Sequence, residues 1–516
     1  MKNLLEVSRI VTKKKVRKIE ILDESTLENA NSKFSEFYAA LMAGKFKNDR
    51  DAASLLYSCS PTDDKYRQLK SRFRKRLLNT LFFLDLSQPS AGSYDRAYFS
   101  CNKDWTLVKI LIANEAHLTA EDLAKQILHT ALKFKFADVI VNCARILRKY
   151  AAEAENEKDF EECDKHIKHY SDILDAEIRS EELYQRVLMK YRVPREEIPG
   201  LEEKIDVFCN ALVGLSETYD SPVINYNMLM VWALRYEILQ DFEAMLQVCD
   251  RAEKYIEQHP QYYQDDKLAA FRLKKMTAYL HLQDFKNGKI NAEKSLQTFE
   301  ESSDTWFKFL EFYLLLAMHT GNYINGYAIL NRAKQDANFR KLDLETREKW
   351  KIYEVYLSYF IETETEEESA IKEQMRKNFR ISRFLNDQII YPREQRIFTV
   401  HLVIAQVLFL LDKKNYVQAT ERIERLKSYT NKQLKKEEHF RMIQFNRLLQ
   451  QLAKGEFSVA NLAGEERFYE KLVDTPFFYR GLIQELEIVP FEKLWNHVLS
   501  ANNFSWSDWT KTTGGT

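Results

Sequence analysis

Glycine and proline are scarce in this chain, and that scarcity limits the folds open to it. The 516 residues include only 12 glycines and 9 prolines, the residues that form the tight turns between short β-strands. Long α-helices need few such turns. The mixture of 45% hydrophobic and 30% charged residues is also typical of amphipathic helices that each bury one face. The sequence therefore predicts an all-α protein.

Chain length then limits how these helices are arranged. A chain of 516 residues exceeds the size at which one compact core stops growing. We therefore expect several domains or one elongated array, and the turn-poor composition favours the array.

Cysteine spacing and the absence of long apolar runs bear on the compartment. The six cysteines are widely spaced and form no CxxC pair, so they match neither a zinc ribbon nor a dithiol redox motif. The sequence begins without the apolar stretch of a signal peptide, and no later apolar run approaches the length of a membrane span. We expect a cytoplasmic protein with no membrane partner.

A net charge of zero conceals a basic N-terminal region. Residues 1–80 carry 18 Lys and Arg against 10 Asp and Glu, so the rest of the chain is acidic. Spacing and capping predict three helices there: Ser32 to Met42, a short helix that Asp49 caps and that ends at Tyr57, and about Asp63 to Leu84. The third begins with a run of cations at Lys65, Arg67, Lys70, Arg72, Arg74, Lys75 and Arg76.

This cationic helix has two interpretations. It could neutralise several phosphates of a nucleic acid and, with the short helix before it, form a helix-turn-helix. Alternatively, its side-chain stems could lie over an apolar surface of the acidic body, with their charged ends in water. Under both interpretations, residues 1–90 form a basic, mostly helical N-terminal module.

From about residue 104 the helices are predicted to come in pairs with an aromatic residue at each turn. The turn aromatics are Phe242, Phe285, Tyr323 and Tyr416. Large and small residues recur around them at three- and four-residue steps, among them Trp232, Tyr236, Ala252, Tyr279 and Ala333. This pattern resembles the tetratricopeptide (TPR) repeat, in which helical hairpins stack because no single hairpin can bury both of its apolar faces.

The resemblance implies an architecture and a binding surface. It implies a right-handed superhelical array of TPR-like hairpins over residues 104–460, with a charged helical insertion at about 151–200 and a C-terminal cap and tail at 461–516. The concave face of such an array holds an extended peptide or a partner's helix. The polar residues expected to line this groove are Asn225, Arg235, Arg272, Lys275, Lys308 and Glu311.

Nothing in the sequence indicates catalysis or metal binding. Cys163, His166 and His169 are suitable zinc ligands, but a helix would spread them around its axis. The glycines lack the setting of a phosphate-binding loop, and no Gly-x-Ser-x-Gly motif occurs. We therefore expect no catalytic residues, no cofactor and no metal ion.

Two functional hypotheses follow. The first is a non-enzymatic scaffold or adaptor that binds a protein or peptide partner through the TPR-like surface. The second is a nucleic-acid-binding regulator that uses the basic N-terminal helices, with the repeats sensing a peptide or mediating self-association into a homo-oligomer.

Overall fold

The computed structural model describes residues 32–43, 45–46, 48–81, 93–191, 200–263, 265–297, 299–364, 370–386, 391, 396–435, 438–458, 462 and 466–501. These residues form α-helices and short 3-10 turns with no β-strand among them, so the prediction of an all-α protein is confirmed for this part of the chain. Residues 1–31 and 82–90 of the predicted N-terminal module, and residues 502–516 of the predicted tail, lie outside the described residues.

The chain divides into two compact units, Met1–Ala176 and Glu177–Thr516. The helices of the first unit are α1 (Lys33–Met42), α2 (Asp49–Tyr57), α3 (Asp64–Leu81), α4 (Ser93–Ile112), α5 (His117–Phe134) and α6 (Ala137–Glu153). The boundary between the units falls within α7 (Glu157–Tyr191), the long helix of the charged region that the sequence places at 151–200.

The second unit continues with helices that pack against their neighbours in chain order. Its first helices are α8 (Leu201–Thr218), α9 (Pro222–Leu239), α10 (Phe242–Gln258), α11 (Asp265–Leu282), α12 (Phe285–Leu296), α13 (Asp304–His319) and α14 (Tyr323–Gln335). They are followed by α15 (Leu344–Glu364), α16 (Ala370–Asn378), α17 (Ile381–Asn386), α18 (Arg396–Asp412), α19 (Tyr416–Lys432), α20 (Phe440–Lys454), α21 (Glu466–Val473) and α22 (Phe491–Ala501).

Helices α1 to α3 pack on one another around a small aromatic core. Phe37 of α1 stacks on Phe73 of α3 with ring centroids 4.5 Å apart, and Ala53 and Leu56 of α2 are buried with them. The side chain of Ser32 caps α1 by accepting from the backbone N–H of Phe34. The predicted bounds of α1 and α2 are confirmed within one residue.

One predicted cap was misplaced. Asn48, not Asp49, caps α2, because its side-chain oxygen accepts a 3.0 Å hydrogen bond from the N–H of Asp51. Asp49 is the first helical residue, and its carboxylate binds Lys70 and the hydroxyl of Tyr66 on α3. This shift by one residue ties α2 to the basic helix.

A recurring turn joins the helices of the second unit's hairpins. One or two residues after the first helix ends, the chain has a residue with left-handed backbone, which is Gln240, Gln283, Gly321 or Lys414. An Asp or Asn follows, and in three of these turns (Asp241, Asp284 and Asn415) its side chain accepts from a backbone N–H three residues on. The next residue is the turn aromatic, which opens the second helix.

Three of the four turn aromatics stack on a ring that lies beyond their own hairpin. Phe242 stacks on His281 at 4.1 Å, Tyr323 on Phe360 at 4.6 Å and Tyr416 on Phe457 at 4.8 Å between ring centroids. The remaining turn aromatic, Phe285, is partly buried against the largest core. The three stacked rings therefore contribute to the interface between successive hairpins.

Small residues let the helices of the second unit approach closely. Ala252 and Ala333 are fully buried in the second helices of their hairpins. At Gly288 of α12, an added Cβ would lie 2.4 Å from Leu316 and 3.2 Å from Tyr279. Trp232 and Tyr236 lie on α9 with ring centroids 5.7 Å apart, half-buried beside the second unit's core.

Candidate functional site

Polar side chains lie on one face of α13, which is otherwise almost entirely apolar. Lys308, Glu311 and His319 fall within about 80° of one another around the helix axis at 100° per residue. Glu311 and His319 are buried, with exposed fractions of 4% and 0%. Together with side chains from α9 and α11 they form what we call the polar strip: Glu237, Lys274, His281, Lys308, Glu311 and His319.

A largely non-helical stretch between α21 and α22 lies against the polar strip. This stretch is residues 474–490, hereafter the 474–490 segment, and its one regular element is the 3-10 turn Ile483–Glu485. Tyr479 is fully buried and the side chain of Arg480 is only 12% exposed, whereas Leu482 is 41% exposed. The segment is therefore anchored at some side chains and open to solvent at others.

Two histidines of the polar strip hydrogen-bond the backbone of the segment. Nδ1 of His281 pairs with the carbonyl of Thr277 at 2.7 Å, which leaves Nε2 to accept from the N–H of Tyr479 at 3.0 Å. Nε2 of His319 donates to the carbonyl of Glu487 at 2.6 Å. Burial lowers the pKa of His281 to about 4 and that of His319 to about 3, so both imidazoles are neutral.

The carboxylate of Glu311 receives hydrogen bonds from both the segment and α15. The Tyr479 hydroxyl donates to it at 2.7 Å and the Tyr353 hydroxyl at 2.9 Å, while Nζ of Lys349 lies 2.8 and 2.9 Å from its two oxygens. Burial by itself raises the pKa of Glu311, but the charge of Lys349 and these hydrogen bonds bring it below its ordinary value. The site therefore holds a buried, ionised acid.

Arg480 anchors the segment to the end of α7. Its guanidinium donates to the backbone carbonyl of Tyr191. The Nε of the same guanidinium donates to the carboxylate of Glu485 at 2.7 Å. The Tyr191 hydroxyl in turn donates to Glu237 at 2.6 Å, and Lys274 forms an ion pair with the same carboxylate. The arginine is thus connected to the polar strip through one tyrosine.

Arg441 of α20 binds both ends of the segment. It donates to the carbonyls of Leu472 and Thr475 near the start, and forms a two-pronged pair with Glu487 near the end, at 2.9 Å for each contact. It also contacts Glu492 at 2.7 Å. Burial raises the pKa of Glu487, while the charge of Arg441 opposes that rise.

The segment also forms one wall of a cleft of about 520 Å³. Phe477, Phe478, Arg480 and Leu482 line it from the segment. The opposite side includes Tyr191, Ile238, Gln240, His439 and Arg441. The space beside the segment is large enough to admit further side chains of a bound chain.

The six predicted groove residues divide into two groups. Lys308 and Glu311 lie against the segment, and a Cβ added to Gly481 would be 3.6 Å from Cε of Lys308. The other four form contacts elsewhere: Asn225 bonds the carbonyl of Ser221, Arg235 pairs with Asp206, Arg272 lies 3.5 Å from Glu253, and Lys275 pairs with Asp250 and Glu253. Helix-to-helix ion pairs therefore hold Arg272 and Lys275 against α10.

The predicted nucleic-acid contacts all lie on α3, on either side of its buried stripe. Lys70 pairs with Asp49 at 2.6 Å, Arg67 lies 3.6 Å from Asp64, and Arg76 packs over Phe34 at 4.2 Å. Lys65, Arg72, Arg74 and Lys75 are exposed, and their side chains form no ion pair with the described residues. Four of the seven cations therefore point into solvent without a partner in this part of the chain.

Sequence reasoning missed several residues of the site, chiefly His281, His319, Tyr479, Arg480 and Arg441. The histidines carried a usable signal, since each is a polar residue on the face of a helix that is otherwise buried. The segment carried none, because it has no helical or strand period. Its position depends on contacts that span 168 residues for Tyr479 with Glu311.

Neither a metal site nor a membrane span occurs among the described residues. Over the part of the chain that the structure describes, no group of three or more His, Cys, Asp or Glu side chains could hold a metal ion. Among the same residues, no helix combines the length and apolarity needed to cross a bilayer.

Comparison with protein-family models, with curated proteins and with solved structures finds no match to this chain.

Proposed function

We propose that this protein is a non-enzymatic scaffold that binds an extended protein or peptide partner across the first helices of stacked TPR-like hairpins in the cytoplasm. One observation supports it most. Side chains of α11 and α13 already hold a non-helical stretch of polypeptide through both its backbone and its side chains. A surface that hydrogen-bonds an extended backbone in this way suits an extended peptide.

The test compares two lysines of equal charge at different places in the second unit. Lys308 is an exposed residue of the polar strip, and Lys286 is an exposed residue of α12. Tagged full-length chain is purified from its own host at moderate salt, with and without nuclease, and retained proteins are quantified by mass spectrometry. We expect Lys308→Glu to lose the specific partner and Lys286→Glu to retain it. A partner held equally by both variants would remove the polar strip from the proposal.

A second function, nucleic-acid binding by the N-terminal helices, is favoured by one specific observation. The exposed side chains of Lys65, Arg72, Arg74 and Lys75 lie on the second helix of a short helix pair and are not neutralised within the described residues. Each cation that reaches a phosphate would add salt-dependent affinity. The repeats would then sense a peptide or mediate self-association.

A further inference from the structure

Two of the hydrogen bonds that hold the 474–490 segment are made to its backbone. His281 accepts from the N–H of Tyr479 and His319 donates to the carbonyl of Glu487, so both histidines bind groups that every residue except proline possesses. Their neutral state follows from burial on α11 and α13. A second extended chain could make the same bond to His281 while His319 keeps its bond to Glu487.

Side-chain contacts add selectivity at two adjacent residues. The hydroxyl of Tyr479 reaches Glu311 while its ring lies 5.3 Å from that of Phe312. The guanidinium of Arg480 packs over the rings of Tyr191 and Phe478 and donates to the Tyr191 carbonyl. The site therefore accepts a tyrosine hydroxyl and, next to it, a cation with an aromatic neighbour.

The acid that Tyr479 contacts does not depend on it for charge compensation. Lys349 and Tyr353, both on α15, remain bonded to Glu311 if the Tyr479 hydroxyl leaves. A buried carboxylate that lost its only cation would be strongly destabilising, but this one keeps its cation. The segment can therefore be exchanged at this point without leaving an unpaired charge.

Residues 486–489 of the segment are more deeply buried than residues 475–482. Leu486, Glu487, Ile488 and Val489 are buried, and Arg441 fixes Glu487. In residues 475–482, by contrast, only Tyr479 is fully buried, and the cleft of about 520 Å³ runs beside this part. An incoming chain would meet the exposed Leu482 first.

We propose that residues 475–482 act as an internal ligand of the polar strip, and that the partner is an extended peptide with the same chemistry. That peptide presents an aromatic pair, then a tyrosine and an arginine, as Phe477 to Arg480 do, and it displaces them while residues 486–490 remain bound. This inference rests on the proposed function, since it identifies the kind of peptide that the scaffold would bind and what restrains that binding.

A synthetic peptide of residues 474–485 with a fluorescent label tests this directly by anisotropy against the full-length chain. Occupancy by the internal copy lowers the apparent affinity by the fraction of open sites. We therefore expect the Tyr479→Phe/Arg480→Ala variant, whose internal copy is weakened, to bind the peptide at least roughly tenfold more tightly than the wild-type chain does. A peptide of the same composition in scrambled order is the ligand control.

If the double variant unfolds, the single variant Arg480→Ala still tests the proposal. Arg480→Ala alone removes the Arg480 contacts to Tyr191 and Glu485 and leaves Tyr479 in place. We expect this variant to melt cooperatively and to bind the peptide about threefold more tightly than the wild-type chain does. Adding Glu311→Gln to either variant should reduce peptide binding again. A folded Arg480→Ala chain whose peptide affinity equals that of the wild-type chain would overturn the inference, even where the Lys308 comparison still supports a partner.

Discussion

The hydroxyl of Tyr479 donates a 2.7 Å hydrogen bond to the buried carboxylate of Glu311, a residue 168 positions earlier in the chain. The same Glu311 oxygen accepts from Tyr353 at 2.9 Å and lies 2.8 Å from Nζ of Lys349. Two phenol hydroxyls and one ammonium therefore share one acid. Of these three groups, only the Tyr479 hydroxyl comes from the 474–490 segment. Its contribution to the free energy of unfolding can therefore be measured separately.

Replacing Tyr479 by Phe should lower the free energy of unfolding by about 2 kcal/mol, because the lost hydrogen bond has a charged acceptor. Tyr327 is the matched control, since its buried hydroxyl has no hydrogen-bond partner among the described residues. Tyr327→Phe should change stability by less than about 0.5 kcal/mol. Urea unfolding followed by tryptophan fluorescence measures both, and equal effects of the two substitutions would contradict the role given to the Glu311 contact.

Replacing Arg441 by Met should strongly lower the free energy of unfolding. It leaves Glu487, which is 3% exposed, without its cation, and removing one partner of a buried pair costs about 3–5 kcal/mol. Arg441→Lys should recover only part of the loss, because an ammonium cannot form the two-pronged contact.

The double variant Arg441→Met/Glu487→Leu separates charge from packing. With Glu487 replaced as well, no fully buried carboxylate is left unpaired, and Glu492, the other partner of Arg441, has a side chain that is 25% exposed to solvent. We therefore expect stability closer to wild type than to Arg441→Met. Thermal melting of the wild type, Arg441→Met and the double variant measures this difference. If the double variant is the least stable of the three, the buried carboxylate is not the cause of the loss.

The helices and their turns could be predicted from sequence because the signals are local. The left-handed residue, the Asp or Asn cap and the aromatic of each turn lie within three consecutive positions, as in Gln240, Asp241 and Phe242. The bounds of α1 and α2 followed from spacing and capping in the same way. Such patterns depend on backbone chemistry that a short window contains.

The candidate site could be predicted only in part because its two halves lie far apart in sequence. Lys308 and Glu311 were visible as polar residues on α13, but Tyr479 belongs to an irregular stretch. Arg272 and Lys275 have the same sequence signal as Lys308, yet they pair with acids of α10. One-dimensional spacing cannot distinguish a polar residue that faces a groove from one that joins two helices.

Acid should destabilise the second unit partly through His281. Its pKa is about 4 in the folded chain against an ordinary value of 6.5, so the unfolded chain binds more protons between those limits. Stability is fully present above pH 6.5 and is lost as pH falls towards 4, by roughly 3 kcal/mol for this group. A proton on Nε2 would also face the N–H of Tyr479.

Melting temperatures measured from pH 7.5 to pH 4.5 test this expectation. His281→Gln should be less stable at neutral pH but show a shallower loss towards acid, because the group that must gain a proton is gone. His169→Gln, on the exposed face of α7, controls for loss of a histidine elsewhere in the chain. Parallel curves for wild type and His281→Gln would exclude His281 as a source of the acid sensitivity.

The exposed cations of α3 give the last prediction. Reversing Arg72, Arg74 and Lys75 to Glu should abolish retention of a labelled duplex at low salt, and wild-type affinity should fall with salt by about 0.9 logarithmic units per phosphate contact. The control reverses Lys286, Lys413 and Lys432, which are exposed in the second unit and give the same change of net charge. If both triple variants lose the duplex equally, the binding is due to overall charge. If the wild-type chain does not bind the duplex at low salt, α3 has no such role.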